Sequence, residues 1–265
     1  MVNYWWAITF LAGLLAGCAG TPVSGEGNPN SQTPVSQQVA VGDARLRAKA
    51  HADLGMVYLG DSQLNTALDE ARIAIEADSS YPLGYNLLGL VQMYLKDNRA
   101  AEDSFTRALA LAPNDPEINN NFGWFLCQSG REARSIPYFV TASKSQLYSS
   151  PTKPLTNAGI CSLNMKDDKG AEDFLVRALR VDPMNGDAHF LLADIYYRTG
   201  RLREAQARLA EIHRMTEPTA ETAWLGLRIE RKIGDHEAEN RYAAQLRRKF
   251  QASREYQLMT QGKFE

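Results

Sequence analysis

Three cysteines are the residues of this chain with the clearest capacity for covalent chemistry. Cys18 closes an apolar run in the stretch LLAGCAG, whereas Cys127 and Cys161 come much later. A thiol can serve as a small buried apolar group, as half of a disulfide, or as a nucleophile that accepts another group. The residues around each cysteine therefore bear on compartment and function.

The residues before Cys18 are typical of a secretory signal. Residues 1–17 read MVNYWWAITFLAGLLAG and carry no charged side chain. The run is shorter than the roughly 20 apolar residues that span a bilayer, and it turns to small residues at its end, as a signal peptide does. No Lys or Arg precedes it, which leaves open the alternative of an uncleaved apolar anchor with an incidental cysteine.

The segment Leu15-Ala16-Gly17-Cys18 resembles the lipobox of bacterial lipoproteins. The resemblance implies that the signal peptide 1–17 is removed, that the Cys18 thiol takes a diacylglycerol, and that the new amino group is acylated. Ala19, where an Asp would imply inner-membrane retention, implies an outer-membrane lipid anchor. An N-acyl diacylglycerol on Cys18 is therefore the expected modification, and no other cofactor is expected.

The next segment has the composition of a flexible tether. Residues 21–42 are rich in Ser, Gly, Pro, Asn and Gln, with a single charged residue. Such a composition buries too little apolar area to offset the entropy of ordering. Residues 18–43 are therefore predicted to be the lipidated cysteine and a flexible tether.

The composition argues against nucleic-acid binding and against catalysis. The 265 residues are 44% hydrophobic with a net charge of −2, which gives no electrostatic reason to expect a nucleic-acid partner. The four histidines are scattered without metal-ligand spacing, and no phosphate-binding loop or nucleophile elbow occurs. Carboxylates such as Glu102 and Glu172 are predicted to be solvated. No catalytic or metal-binding residue is expected, and no segment is long enough for a separate enzyme domain.

Two series of small residues recur along the chain with the same period. The first series is Gly55, Gly89, Gly123, Gly159, Ala193 and Gly226, and the second is Ala67, Ala101, Ser135, Ala171, Ala205 and Ala238. The steps in both are 34, 34, 36, 34 and 33 residues. Small residues at a fixed period are what closely crossing helices require, so each period predicts one helical hairpin.

This pattern resembles the tetratricopeptide repeat (TPR), a 34-residue helix–turn–helix unit. The resemblance implies an all-α fold, a right-handed superhelix of about six repeats within residues 44–252. The predicted repeats span 48–81, 82–115, 116–149, 152–185, 186–218 and 219–252. Residues 253–265 are predicted to form a C-terminal cap or tail.

Cys127 and Cys161 fall on the first helices of adjacent repeats. Neighbouring helix axes lie about 8–10 Å apart, whereas bridged cysteines need Cα atoms about 4.4–6.8 Å apart, so a bridge requires facing positions. The repeat geometry permits a disulfide between them, and the alternative is two reduced, buried cysteines.

In TPR proteins the first helix of each repeat lines a concave groove, so the predicted partner-binding residues are positions of these helices that do not pack inside the repeat. They are Met56, Leu59, Leu83, Asn86, Leu90, Met93, Tyr94, Asn120 and Trp124. Such an apolar groove suits an amphipathic helix or an extended apolar peptide. Alternatively, repeat stacking or the chain's own N-terminal segment covers these residues. A carboxylate clamp at Asn121, Lys153 and Asn157 is a weaker idea, because the full set of Lys, Asn and Arg is missing.

The segments NNNFGWFLCQSGR (Asn119 to Arg131) and NAGIC (Asn157 to Cys161), with the lipobox, tether and six repeats, resemble the type IV pilus biogenesis lipoproteins PilF/PilW. The resemblance implies a pilotin in the periplasm, anchored in the outer membrane, that binds the pilus secretin and promotes its localisation and multimerisation. The alternative is a periplasmic TPR lipoprotein that serves as scaffold for another envelope assembly or secretion machine.

Overall fold

Helical hairpins build the part of the chain that the computed structural model describes, residues 33–264. The predicted signal peptide and Cys18 lie outside the described residues. Thirteen α-helices and one short 3₁₀ turn, Val35–Gln37, occur within them. The α-helices are α1 Asp43–Gly60, α2 Leu64–Ala77, α3 Pro82–Tyr94, α4 Asn98–Leu111, α5 Pro116–Gln128, α6 Glu132–Ser143, α7 Lys153–Asn164, α8 Asp168–Val181, α9 Gly186–Arg198, α10 Leu202–Met215, α11 Ala220–Ile233, α12 His236–Lys249 and α13 Arg254–Thr260.

Side-chain caps and prolines set where many of these helices begin. The carboxylate of Asp115 accepts hydrogen bonds from the backbone N–H groups of Glu117 and Ile118, and Asp97 caps α4 in a similar way. Pro82 and Pro116 stand at the first position of α3 and α5, where the missing N–H costs nothing. Helix starts are therefore encoded locally, by residue type at each boundary.

The turn inside each hairpin contains one residue in the left-handed backbone region. These residues are Ser62, Lys96, Gly130, Lys166, Gly200 and Gly234, with φ between 60° and 88°. They recur at steps of 34, 34, 36, 34 and 34 residues, so all six hairpins turn in the same way. Three positions use glycine, which adopts this conformation without a steric penalty.

The predicted small-residue positions are the points of closest helix contact. A Cβ atom on Gly123 would lie 2.9 Å from the ring of Phe139, and one on Gly159 would lie 2.8 Å from Leu175. The second series is equally tight, since Ala101, for example, is completely buried. Hairpins two, three, four and six therefore close by placing a large side chain of the second helix over the glycine of the first, whereas Leu87 of α3 covers Gly55 in the first hairpin.

The hairpins stack into the predicted superhelix of TPR repeats. Helices α1 to α12 form six hairpins, and successive odd-numbered helices contact one another along the stack. The odd-numbered helices thus form one row, which lines the inner side of a TPR superhelix. Helix α1 begins at Asp43, ahead of the predicted repeat start at 48, and α13 lies in the predicted cap.

Glu102 and Glu172, predicted to be solvated, each join one repeat to the next. Glu102 on α4 pairs with Arg131 at 2.7 Å, and Glu172 on α8 pairs with Arg201 at 2.6 Å. The hydrogen bonds from these guanidinium groups hold the pKa of each carboxyl below its usual value. Sequence reasoning missed these ion pairs because the partners lie 29 residues apart, across a repeat boundary.

Residues 34–37, predicted to belong to a flexible tether, pack on the repeats, and we call the segment 33–42 that contains them the strap. Val35 packs into a cluster with Leu83 and Ile118. Ser36 donates hydrogen bonds from its backbone N–H and its hydroxyl to the buried carboxylate of Asp115, at 2.9 and 3.1 Å. The polar composition suggested no packing, but one apolar side chain and two donors to a buried carboxylate are enough to hold this segment.

Candidate partner-binding surfaces

Cys127 and Cys161 form a disulfide that joins α5 to α7. Their Cα atoms lie 5.9 Å apart, and both side chains are buried. The bridge crosses from repeat three to repeat four, next to the longest connection between hairpins, residues 144–152. The first of the two alternatives raised by the sequence is therefore the one that the structure contains.

Two predicted groove residues belong to the core. Leu90 and Met93 are buried in a cluster with the rings of Phe105, Phe122 and Phe125. The rings of Phe105 and Phe125 lie 5.5 Å apart, and this aromatic group fills the space between repeats two and three. The part of α3 around Leu90 and Met93 that was expected to face a groove is covered by α5 and by Phe105 of α4.

The predicted groove residues Asn86 and Asn120 belong to a chain of buried amides. Asn121 Nδ2 donates to Asn86 Oδ1 at 3.2 Å, and Asn157 Nδ2 donates to Asn120 Oδ1 at 2.9 Å. Asn120 Nδ2 donates in turn to Asn121 Oδ1. These bonds link the inner helices α3, α5 and α7, so the amides hold repeats together.

The same amides weaken the carboxylate-clamp idea. The Nδ2 groups of Asn121 and Asn157 each donate to another asparagine, which uses one of the two N–H donors that each amide could direct at a ligand. Lys153, the third predicted member, is exposed. Burial raises the pKa of the Glu117 carboxyl, and the nearby Lys153 ammonium counteracts part of this rise.

The other predicted groove residues differ in exposure. Leu59, Leu83 and Trp124 are half-buried against core clusters, whereas Met56 and Tyr94 are exposed. The strap residue Val35 lies in the same cluster as Leu83, which is one of the alternatives that the sequence left open. Four residues predicted to line the groove are therefore not exposed there, because neighbouring repeats cover them: Asn86, Leu90, Met93 and Asn120. Partner binding at the accessible positions stays a prediction.

Exposed apolar side chains are instead most frequent on one side of α1. Leu46, Leu54 and Val57 are 50%, 40% and 59% exposed, and they recur at helical spacing, so they lie on one side of the helix. Val39 and Val41, just ahead of α1, are exposed as well. Helix α1 contacts α2 and α3 but has no helix before it in the stack, so this side is left without a partner in the described residues. We call Leu46, Leu54 and Val57 the α1 face.

A sequence signal for the α1 face was available. Leu46 and Val57 lie outside the L-G-x2-Y pattern that packs within a TPR array, whereas Leu54 is the Leu of that pattern, and its counterparts Leu192 and Leu225 are buried. All three are apolar in the helix that opens the described array. A terminal repeat that keeps apolar residues on its outward side is a departure from a polar capping face. The predicted concave groove uses other residues of the same helix, Met56 and Leu59.

The described residues give no indication of other site types. Residues 33–264 contain no group of three His, Cys, Asp or Glu side chains placed to hold a metal ion. None of the helices described in this range combines the length and hydropathy needed to cross a membrane.

Comparison with protein-family models agrees with the repeat assignment. A family model described as tetratricopeptide repeat matches residues 165–221, and a second model of the same description matches residues 84–115. The second match coincides with the hairpin of α3 and α4.

Three comparisons with individual proteins all match PilF or PilW. The type IV pilus assembly protein PilF of Pseudomonas aeruginosa is 26% identical over 251 residues, which are 95% of this chain and 96% of PilF. The crystal structure of PilW, described as a widely conserved type IV pilus biogenesis factor, shares 31% identity and a TM-score of 0.72, covering 80% of this chain and 98% of PilW. The structure of P. aeruginosa PilF superposes with a TM-score of 0.74 at 24% identity, covering 83% and 100% of the two chains.

Proposed function

Because this chain belongs to the PilF/PilW family of type IV pilus TPR proteins, which are not enzymes, we propose that it acts as a pilotin: a lipoprotein that binds the pilus secretin and promotes its outer-membrane localisation and multimerisation. The family membership supports a role in pilus biogenesis. The secretin partner, the lipid on Cys18 and the outer-membrane location are parts of the proposal.

The α1 face is the observation that carries the binding part of this proposal. Its apolar side chains recur along one side of the helix, and no helix within residues 33–264 covers them, so they can take up the apolar side of a partner segment. Burying such side chains removes apolar area from water, at roughly 25 cal/mol per Å². A secretin segment that is unpaired before assembly gains the same shielding, which would keep it from aggregating.

The position of the α1 face in the chain fits a membrane-anchored carrier. Helix α1 begins 25 residues after Cys18, so the face belongs to the first α-helix of the described residues and lies close in sequence to the proposed lipid anchor. A lipid at Cys18 would keep the bound secretin segment near the outer membrane. Several acyl chains on one residue would hold the protein there far longer than a single chain does.

The proposal is tested by placing a charge on the α1 face. Val57→Glu should leave the fold intact, because Val57 is 59% exposed, and should reduce capture of secretin at least tenfold. The matched control is Val181→Glu, since Val181 is 52% exposed on α8 and far along the chain. Secretin multimers in membrane fractions and surface pili are the measurements.

Two outcomes would contradict the proposal. Normal secretin multimers in the Val57→Glu strain would reject the α1 face as the binding surface. Normal piliation in a strain that lacks the protein, together with defects in the cell wall or in outer-membrane protein insertion, would favour a scaffold for another envelope machine. Labelled palmitate should enter the parent protein but not the Cys18→Ser variant.

A further inference from the structure

Cationic and aromatic side chains alternate at the carboxyl end of the stack. Lys232 Nζ lies 4.1 Å from the ring centre of Tyr197, and the guanidinium carbon of Arg228 lies 4.6 Å from the same ring and 5.6 Å from that of Trp224. The rings of Trp224 and Phe264 stack with centres 5.6 Å apart, and Arg231 covers Phe264 at 4.0 Å. The contacts therefore form one continuous series of cations and rings, in the order Lys232, Tyr197, Arg228, Trp224, Phe264 and Arg231.

Five of these six residues belong to the inner helices α9 and α11, and we call them the aromatic seat: Tyr197, Trp224, Arg228, Arg231 and Lys232. Within residues 33–264, Arg231 pairs with Glu239, whereas neither Arg228 nor Lys232 forms an ion pair. The Nε atom of Arg228 is buried without a hydrogen-bond partner in the same range. The seat thus holds two positive charges that no described carboxylate neutralises.

The sixth residue, Phe264, reaches the seat from outside the repeats. It follows α13, and residues 261–263 between them are exposed. Its carbonyl oxygen accepts a hydrogen bond from the Tyr197 hydroxyl at 3.4 Å. Other residues around α13, including Tyr256 and Met259, also pack against the Trp224 cluster, so the cap has contacts independent of Phe264.

We propose that the aromatic seat is a binding site for a partner polypeptide that carries an aromatic side chain next to a carboxylate, and that Phe264 occupies it as a displaceable internal ligand. A ring on Trp224 gains stacking and a cation–π contact with Arg231. A neighbouring carboxylate gains a charge-assisted contact with Arg228 or Lys232. The chain's own sequence has this chemistry, because Glu265 follows Phe264.

Competition with Phe264 sets the affinity that a partner peptide needs in order to bind the seat. A short flexible segment holds its end near the site at an effective concentration in the millimolar range. A partner peptide must therefore exceed this competition, and removing the Phe264 ring should make the seat available. The seat lies on the last two repeats and the α1 face on the first, so this site is additional to the proposed secretin-binding surface.

The test uses a synthetic peptide with the sequence of residues 259–265, MTQGKFE, blocked at both ends and labelled with a fluorophore. Binding to the full chain in detergent is measured by fluorescence anisotropy. The Phe264→Ala variant should bind this peptide at least tenfold more tightly than the parent does. A peptide with Ala in place of Phe should not bind either protein.

A second substitution tests the charge requirement. In the Phe264→Ala background, Lys232→Ala should weaken peptide binding at least threefold, whereas Lys249→Ala on α12 should leave it unchanged. Lys249 is the matched control because it is an exposed lysine of the same repeat.

Three results would overturn the proposal. Equal binding by the parent and the Phe264→Ala variant would show that Phe264 does not compete for the site. Binding of the peptide without a ring would show that the seat does not recognise an aromatic group. Loss of helical circular dichroism in Phe264→Ala at 25 °C would show that Phe264 is a structural part of the cap. None of these outcomes depends on secretin binding, so this proposal and the pilotin proposal fail separately.

Discussion

Gly123 leaves room for the ring of Phe139, and Gly89 does the same for Phe105. An α-helix with glycine in its interior loses roughly 1 kcal/mol relative to alanine, so the residue needs a compensating gain. The compensating gain here is the burial of an aromatic ring, which occupies the space that the alanine methyl group would take. The first repeat solves the problem differently: Leu87 from α3 covers Gly55, because Ala71 stands where the other repeats carry a large residue.

Gly123→Ala should destabilise the protein by about 1–3 kcal/mol, because the new Cβ would lie 2.9 Å from the Phe139 ring in a closely packed core. The measurement is the midpoint of urea-induced unfolding. The matched control is Gly186→Ala at the start of α9, where no atom lies within 4 Å of the new Cβ and the effect should be neutral or slightly stabilising. Equal midpoints for the two variants would contradict this account of the glycine series.

At the scale of helices, the junction between α6 and α7 differs from the others. The connections before α3, α5, α9 and α11 have four residues each, whereas residues 144–152 form a connection of nine. The disulfide between Cys127 and Cys161 joins the inner helices on the two sides of this junction. It therefore fixes repeat three to repeat four where the short connection used elsewhere is missing.

Reducing this disulfide should lower the free energy of unfolding by about 4 kcal/mol, the value that the chain-entropy model gives for a loop of this length. Urea unfolding of the purified protein with and without a thiol-free reductant measures the change. The control is a variant with Cys127→Ala and Cys161→Ala, whose stability should not respond to the reductant. A parent protein that is equally stable in both conditions would refute the role assigned to the bridge.

For the whole molecule, the strap connects parts that are distant in the sequence. A stack of repeats is held together mainly by contacts between neighbours. The strap adds longer-range contacts, since Ser36 bonds Asp115 and Gln37 donates a hydrogen bond to the carbonyl of Leu147. It therefore ties the segment that leads from Cys18 to the middle of the array.

Val35→Asp should release the strap, because it places a charge in an apolar cluster, and amide hydrogen exchange of residues 33–42 should become at least tenfold faster. Mass spectrometry of the exchanged protein measures this change and should find α9 to α12 unaffected. Val39→Asp is the matched control, since Val39 is 87% exposed in the same segment. Equal exchange in the two variants would indicate that Val35 does not hold the strap.

Much of the architecture follows from the sequence. The period of the small residues predicts six hairpins, and the position of Cys127 and Cys161 on adjacent inner helices permits the bridge that is formed. The caps at Asp97 and Asp115 and the glycine turns act within a few residues of their own position. Such features are readable because repetition and local hydrogen bonding impose the same rule on every unit.

Only the tertiary structure decided which inner-helix residues a partner can reach. Leu90 and Met93 are predicted groove residues in a single repeat, yet the next repeat covers them, whereas Leu54 and Val57 stay exposed because no other α-helix of the described residues packs on that side of α1. The contacts of Ser36 in the strap with Asp115, and of Phe264 with Tyr197, likewise join residues with no periodic relation to each other. Exposure and long-range contact depend on how successive hairpins cover one another, and the pattern within one repeat does not contain that information.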